Sequence, residues 1–147
     1  MENTTTGDLF KSLKRTKSFD TYFERSKDAM NAPPIHQYLK GLLNRENPPM
    51  KAGHVIERAG VNLPFGYQVF RGTRKPSRDT TLSLAIGFGL NMEEAQQLLR
   101  AARHAALYPR IPRDAILIFA FEHKLSIDDV QQLLSDKGAG LLYGDNN

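Results

Sequence analysis

The sequence predicts an all-α fold, and three observations carry that prediction. Apolar residues recur at i, i+3, i+4 and i+7 in successive segments, residues with helix-capping side chains stand just ahead of those segments, and no stretch alternates with the two-residue period of a half-buried strand. With 147 residues the chain is expected to form one domain, burying about two-thirds of the surface its unfolded form exposes. Neither a low-complexity stretch nor a repeat at fixed spacing is expected along it.

Taken in order, Leu9, Phe10 and Leu13 suggest a short helix set among Lys11, Lys14, Arg15 and Lys17. Ser18 caps another, in which Phe19, Tyr22, Phe23 and Ser26 recur at helical spacing, so its aromatic face must pack on the body of the protein or on another copy. Ala32-Pro33-Pro34 ends it. Ile35, Leu39, Leu42 and Leu43 give the next amphipathic helix, stopped by Asn47-Pro48-Pro49. Residues 51–77 then form the centre of the chain. Ala52, Val55, Ile56 and Ala59 make one apolar face, Gly60 closes that helix, Asn62 caps the next, and Pro64 falls in its first turn, where a missing N–H costs nothing. Phe65, Val69 and Phe70 should face inward, Tyr67, Gln68 and Arg71 outward, and Gly72 should end the helix before the exposed basic loop Thr73-Arg74-Lys75.

Beyond the loop, Ser77 is suited to cap a helix with Leu82, Ala85, Ile86 and Gly89 on one face. Asn91 and Glu94 form a capping-box pattern ahead of the stripe Ala95, Leu98, Leu99 and Ala102, with Arg100 and Arg103 outside it. A proline-punctuated connector, residues 107–112, leads to a helix over residues 115–124 that Arg113-Asp114 opens. That helix is apolar nearly all round and is therefore expected to be buried centrally. Ser126 with Asp129 caps a last helix bearing Ile127, Val130, Leu133 and Leu134, which ends at Gly138-Ala139-Gly140; the tail from Leu141 is expected to fray.

The order of apolar helix, AGVN turn, second helix, Gly72, the loop RGTRKPSRD, and a third helix ending in Gly89-Leu90 ahead of a capped one resembles the DNA-binding domain of the phage-repressor, or lambda-repressor-like, family. The resemblance covers roughly residues 35–90. It implies a helix-turn-helix DNA-binding domain over residues 34–104, between an N-terminal helical extension, 1–33, and a C-terminal one, 105–147, that packs on it. The residues LYPR followed by RDAILIFAFEHKLS are similar to the helical extension found after this type of domain in some bacterial regulators. There are three departures from the family's habit. Ala52 stands where a glutamine is frequent, Ile56 stands where a small residue is usual because two helices pack closely, and Leu63, Pro64 and Gly66 replace two polar residues and an apolar one.

The resemblance implies a sequence-specific transcriptional regulator that binds double-stranded DNA as a homodimer. Asn62, Leu63, Pro64, Tyr67 and Gln68 would occupy the positions facing the bases. Arg71, Thr73, Arg74, Lys75 and Arg78 would hold phosphates through charge and hydrogen bonds. Gln68 is the strongest candidate reader, since a glutamine amide can pair bidentately with adenine. The alternative is a protein–protein interaction module, an antitoxin or adaptor, whose exposed Leu63, Pro64 and Tyr67 grip a protein partner.

Other chemistry finds little support. The chain contains no cysteine, so disulfides, thiolate zinc sites and thiol nucleophiles are excluded, and the composition suits a reducing cytosol. His36, His54, His104 and His123 are scattered rather than paired at metal-binding spacing. Gly87-Phe88-Gly89 lacks the strand and third glycine of a dinucleotide fingerprint, and neither a phosphate-cradling P-loop nor a G-x-S-x-G elbow occurs. Glu93-Glu94 and Asp128-Asp129 sit in the first turns of helices, where negative charge complements the dipole. No enzyme activity and no cofactor are expected. The first fifteen residues lack the apolar core of a signal peptide, and the run over residues 115–121 is too short to span a bilayer, so a soluble, cytoplasmic protein without membrane partners is expected. The net charge of +4 and pI of about 9.4 are compatible with a polyanionic partner, but the excess is modest, so where the cations lie matters more than their number.

Overall fold

A computed structural model describes residues 33–143. They form α1 (Ile35–Asn44), α2 (Ala52–Arg58), α3 (Leu63–Arg71), α4 (Arg78–Phe88), α5 (Met92–Ala101), α6 (Pro112–Glu122) and α7 (Ile127–Asp136), and among the described residues there is no strand. The chain divides into two compact units, 1–33 and 34–147. The segments expected around Leu9–Leu13 and Ser18–Ser26 lie outside the described residues. Of the described helices, none is long and apolar enough to cross a membrane.

The capping residues act where the sequence places them. Asn62 accepts from the Phe65 amide, Ser77 from Thr80, Asn91 and Glu94 close a reciprocal capping box, and Ser126 accepts from the Asp129 amide. Gly60, Gly72 and Gly89 take the left-handed conformation at the helix ends expected for them.

The central helix is α4, not α6. Every residue from Thr80 to Phe88 is buried, with α2, α5 and α7 packed around it. Its three polar members do not oppose this. Thr81 donates to the Ser77 carbonyl at 2.8 Å, Ser77 donates to the Thr80 hydroxyl, and no buried side-chain polar atom in the described residues lacks a partner. Where α4 crosses α2, a Cβ on Gly87 would lie 2.3 Å from the Val55 carbonyl oxygen, so only glycine permits that approach. By contrast α6, although apolar nearly all round, buries Asp114, Leu117, Ala120 and Phe121 and leaves Phe119 half exposed. Apolar content marked α6 as the centre, but the centre is the helix with neighbours on every side.

A second expectation also fails, because the chain does contain a repeat. Residues 78–108 and 113–143 align without a gap at an offset of 35, with eleven identities. The identities fall where the structure needs them: Arg78 and Arg113, Asp79 and Asp114, Gln96 and Gln131, Leu107 and Leu142, Tyr108 and Tyr143. Each repeat is a pair of helices, α4–α5 or α6–α7, followed by an extended tail pinned by its own glutamine. Gln96 donates to the Leu107 carbonyl at 2.9 Å and accepts from its amide at 2.8 Å; Gln131 and Leu142 repeat both bonds at the same distances. Left-handed residues recur in register as well, Gly89 with Lys124 and Arg103 with Gly138. The tail expected to fray is therefore held as far as Tyr143.

The repeats grip each other crosswise. Arg78 makes a two-pronged ion pair with Asp114, at 3.1 and 3.0 Å, and Arg113 makes the same pair with Asp79, at 2.9 and 3.0 Å. Each arginine also donates to the tail of its own repeat: Arg78 to the carbonyls of Ala105 and Ala106, Arg113 to those of Gly140 and Leu141. Each aspartate accepts the tyrosine amide of the opposite repeat, Asp114 from Tyr108 at 3.0 Å and Asp79 from Tyr143 at 3.1 Å. Such forked, charge-assisted bonds fix geometry as well as energy. Burial raises the Asp79 carboxyl, but the bonds from Arg113 and Tyr143 and the charges of Arg113 and Arg78 outweigh it and hold that group below its ordinary value.

Two outcomes follow. Asp114 is 2% exposed, so Asp114→Asn strands the Arg78 charge and should cost about 3 kcal/mol, the low end for a broken buried pair because Arg78 retains some water; denaturant unfolding measures it. A depressed carboxylate contributes stability that is complete above its unfolded value, about 3.9, and lost as pH falls through the lower folded value. The thermal midpoint should accordingly drop as pH is lowered from about 5, and less steeply in Asp79→Asn.

Candidate nucleic-acid interface

The segment singled out by sequence is two short helices joined by a tight turn. Val61 N donates to the Ile56 carbonyl at 3.2 Å, Gly60 turns the chain at φ 68°, and Asn62 receives the Phe65 amide at 3.1 Å to start α3. One face of α3, carrying Phe65, Gly66, Val69 and Phe70, is buried against α1 and α2. At its far end Gly72, at φ 86°, lies beside the His36 ring.

The seat of α3 depends on a matched pair of residues. A Cβ placed on Gly66 would lie 2.5 to 2.8 Å from three carbon atoms of Ile56, a residue wholly buried in α2. The large isoleucine on one helix fills the space left by the missing side chain on the other. The bulk at this crossing is carried by α2 and the space for it is left by α3, so the two helices meet closely.

The outer edge of α3 presents Leu63, 46% exposed, and Tyr67, 38% exposed, with Pro64 exposed and Gln68 half-buried. The Tyr67 hydroxyl would lie 2.6 Å from a Cβ on Gly53, so the ring leans along the start of α2 rather than standing free. Asn62 has its side-chain oxygen engaged as the cap, which leaves its amide group for other contacts. The Gln68 side chain makes no hydrogen bond with other described residues.

The five residues expected to hold phosphates divide into two groups. Arg71, Arg74 and Lys75 are exposed, and none has an ion pair or side-chain hydrogen bond among the described residues. Thr73 and Arg78 are engaged elsewhere. The Thr73 hydroxyl donates to the Gln68 carbonyl at 3.2 Å, and the amides of Thr73 and Arg74 converge on the same oxygen at 3.0 and 3.4 Å, so these donors cap α3. Gly72 N is also bonded, to Val69, whereas the Lys75 amide has no backbone partner among the described residues. Arg78 points into the crossed ion pair and contributes no free cation to the loop. Sequence reasoning missed that commitment; the signal was the recurrence of Arg-Asp at positions 78–79 and 113–114. Behind the loop, the Pro76 carbonyl bonds His104 Nε2 at 2.9 Å, tying its base to the end of α5.

Among the described residues no group of histidines and carboxylates is placed to hold a metal ion. Of the histidines, His36 lies beside Gly72 and His104 bonds the Pro76 carbonyl.

The Ile56–Gly66 match is testable as a double-mutant cycle. Ile56→Ala should cost about 2 to 4 kcal/mol from the cavity it opens, and Gly66→Ala about 1 to 3 kcal/mol from overpacking. Together they should cost less than the sum, because the added methyl enters the vacated space; chemical denaturation of the four proteins reads the coupling.

Against known proteins the chain finds no match: no family model, curated protein or solved structure corresponds to it.

Proposed function

We propose that the chain is a sequence-specific DNA-binding transcriptional regulator of lambda-repressor-like type, with α2, the turn and α3 as its helix-turn-helix. The observation that supports this reading best is the edge of α3, solvent-facing and continued by three exposed cations, Arg71, Arg74 and Lys75, that have no partner among the described residues. A duplex docked there receives α3 in its major groove while the cations replace condensed counterions on the phosphates. That contact is sequence-blind. Reading falls to Gln68, whose amide matches adenine N6 and N7, to the free amide of Asn62, and to Leu63 and Tyr67 against thymine methyls and sugar edges. Neither covalent chemistry nor a cofactor enters this role.

A second reading keeps the same helices but makes the exposed Leu63 and Tyr67 the centre of a protein-binding patch. Salt separates the two, since apolar contacts are nearly indifferent to ionic strength and counterion release is not.

Fluorescence anisotropy on a selected and a random duplex, at several salt concentrations, provides the test. Three phosphate contacts give a slope of log K against log salt of about −3 per protomer, and Arg74→Ala should reduce its magnitude by about 1 on both duplexes. Gln68→Ala should cost about 1 to 3 kcal/mol on the selected duplex and little on the random one. Binding that ignores salt, or equal losses on both duplexes for both variants, contradicts the assignment.

A further inference from the structure

The repeat sets α4 and α6 in corresponding positions, so their surfaces can be compared residue by residue. In the first repeat Leu84, Gly87 and Phe88 are covered or closely approached, with α2 lying against Gly87. Their counterparts at the offset of 35 are Phe119, Glu122 and His123, and all three are exposed. No described helix does for α6 what α2 does for α4. Ile111, 48% exposed, and the half-buried Ala115 and Ile118 continue from Phe119 at helical spacing, making one apolar strip along α6. The Phe119 ring stacks edgewise on His123, with centroids 4.0 Å apart, and remains 50% exposed.

We propose that this strip is a homodimer interface, in which a second copy of the chain lays its own α6 antiparallel across the first about a two-fold axis. Charge selects that occupant. Arg110 precedes the helix and Glu122 ends it; both are exposed and make no ion pair or hydrogen bond among the described residues. A strip that is positive at one end, negative at the other and apolar between is its own complement when turned through a two-fold axis. Each Arg110 then meets the Glu122 of the other copy, and the helix dipoles oppose in the favourable sense. The apolar cover that α2 gives α4 within one chain is supplied to α6 by the partner. None of the residues assigned to DNA takes part, so the interface stands or falls independently of the regulatory reading.

Sedimentation equilibrium of the full chain, without DNA and across the micromolar range, tests the proposal. The expected result is a dimer that Phe119→Ala weakens by more than about tenfold, in keeping with a buried aromatic anchor. Arg110→Glu and Glu122→Arg should each weaken it about fivefold, and the double reversal should restore it. Phe119, Arg110 and Glu122 are exposed in the single chain, so unchanged helical circular dichroism is expected for every variant. A chain that remains monomeric throughout, whatever else covers the strip, overturns the proposal. So does a dimer indifferent to Phe119→Ala, and failure of the double reversal to restore association overturns the antiparallel arrangement.

Discussion

Two crossed guanidinium–carboxylate forks hold the arrangement on which the other helices depend. Arg78 with Asp114 and Arg113 with Asp79 join the first turns of α4 and α6, so neither repeat completes its polar interactions without the other. An arginine in the first turn of a helix is disfavoured by the dipole, and each of these is offset by an aspartate of the opposite repeat. Fixing α4 then fixes what rests on it. The Gly87 crossing seats α2, and the Ile56–Gly66 match seats α3 on α2. The proposed DNA-facing edge is the outermost member of that series.

Local chemistry was legible in the sequence. Asn62, Ser77, Asn91 and Ser126 each cap the helix assigned to them, and the glycines at 60, 72 and 89 close the helices expected to end there. These signals are readable because donor and acceptor lie within four residues. The all-helical character of the described residues follows from the same short-range patterns.

What escaped was long-range. Counting apolar residues made α6 the buried helix, yet burial depends on how many neighbours an element has, and α4 has more of them while tolerating Thr80, Thr81 and Ser83. Arg78 looked like a member of the basic loop because it follows Lys75 closely; its partner is 36 positions away. Thr73 looked like a phosphate donor, but the carbonyls at the end of α3 claim its hydroxyl and amide first. The repeat was present in the sequence but escaped because its eleven identities are scattered over two helices and a tail, with Gln-Gln-Leu-Leu the longest unbroken match. Likewise Ile56 and Gly66 each read as a departure when taken alone, and only their contact shows that one compensates the other.

Selection of bound duplexes from a random pool addresses the central claim most directly, since it requires both a reading helix and a symmetric carrier. The account predicts enrichment of a two-fold symmetric site whose half-sites lie about 34 to 36 Å apart, one helical turn along the same face of the DNA. A pool that emerges no different from its starting composition, with nothing retained even at low salt, would contradict it.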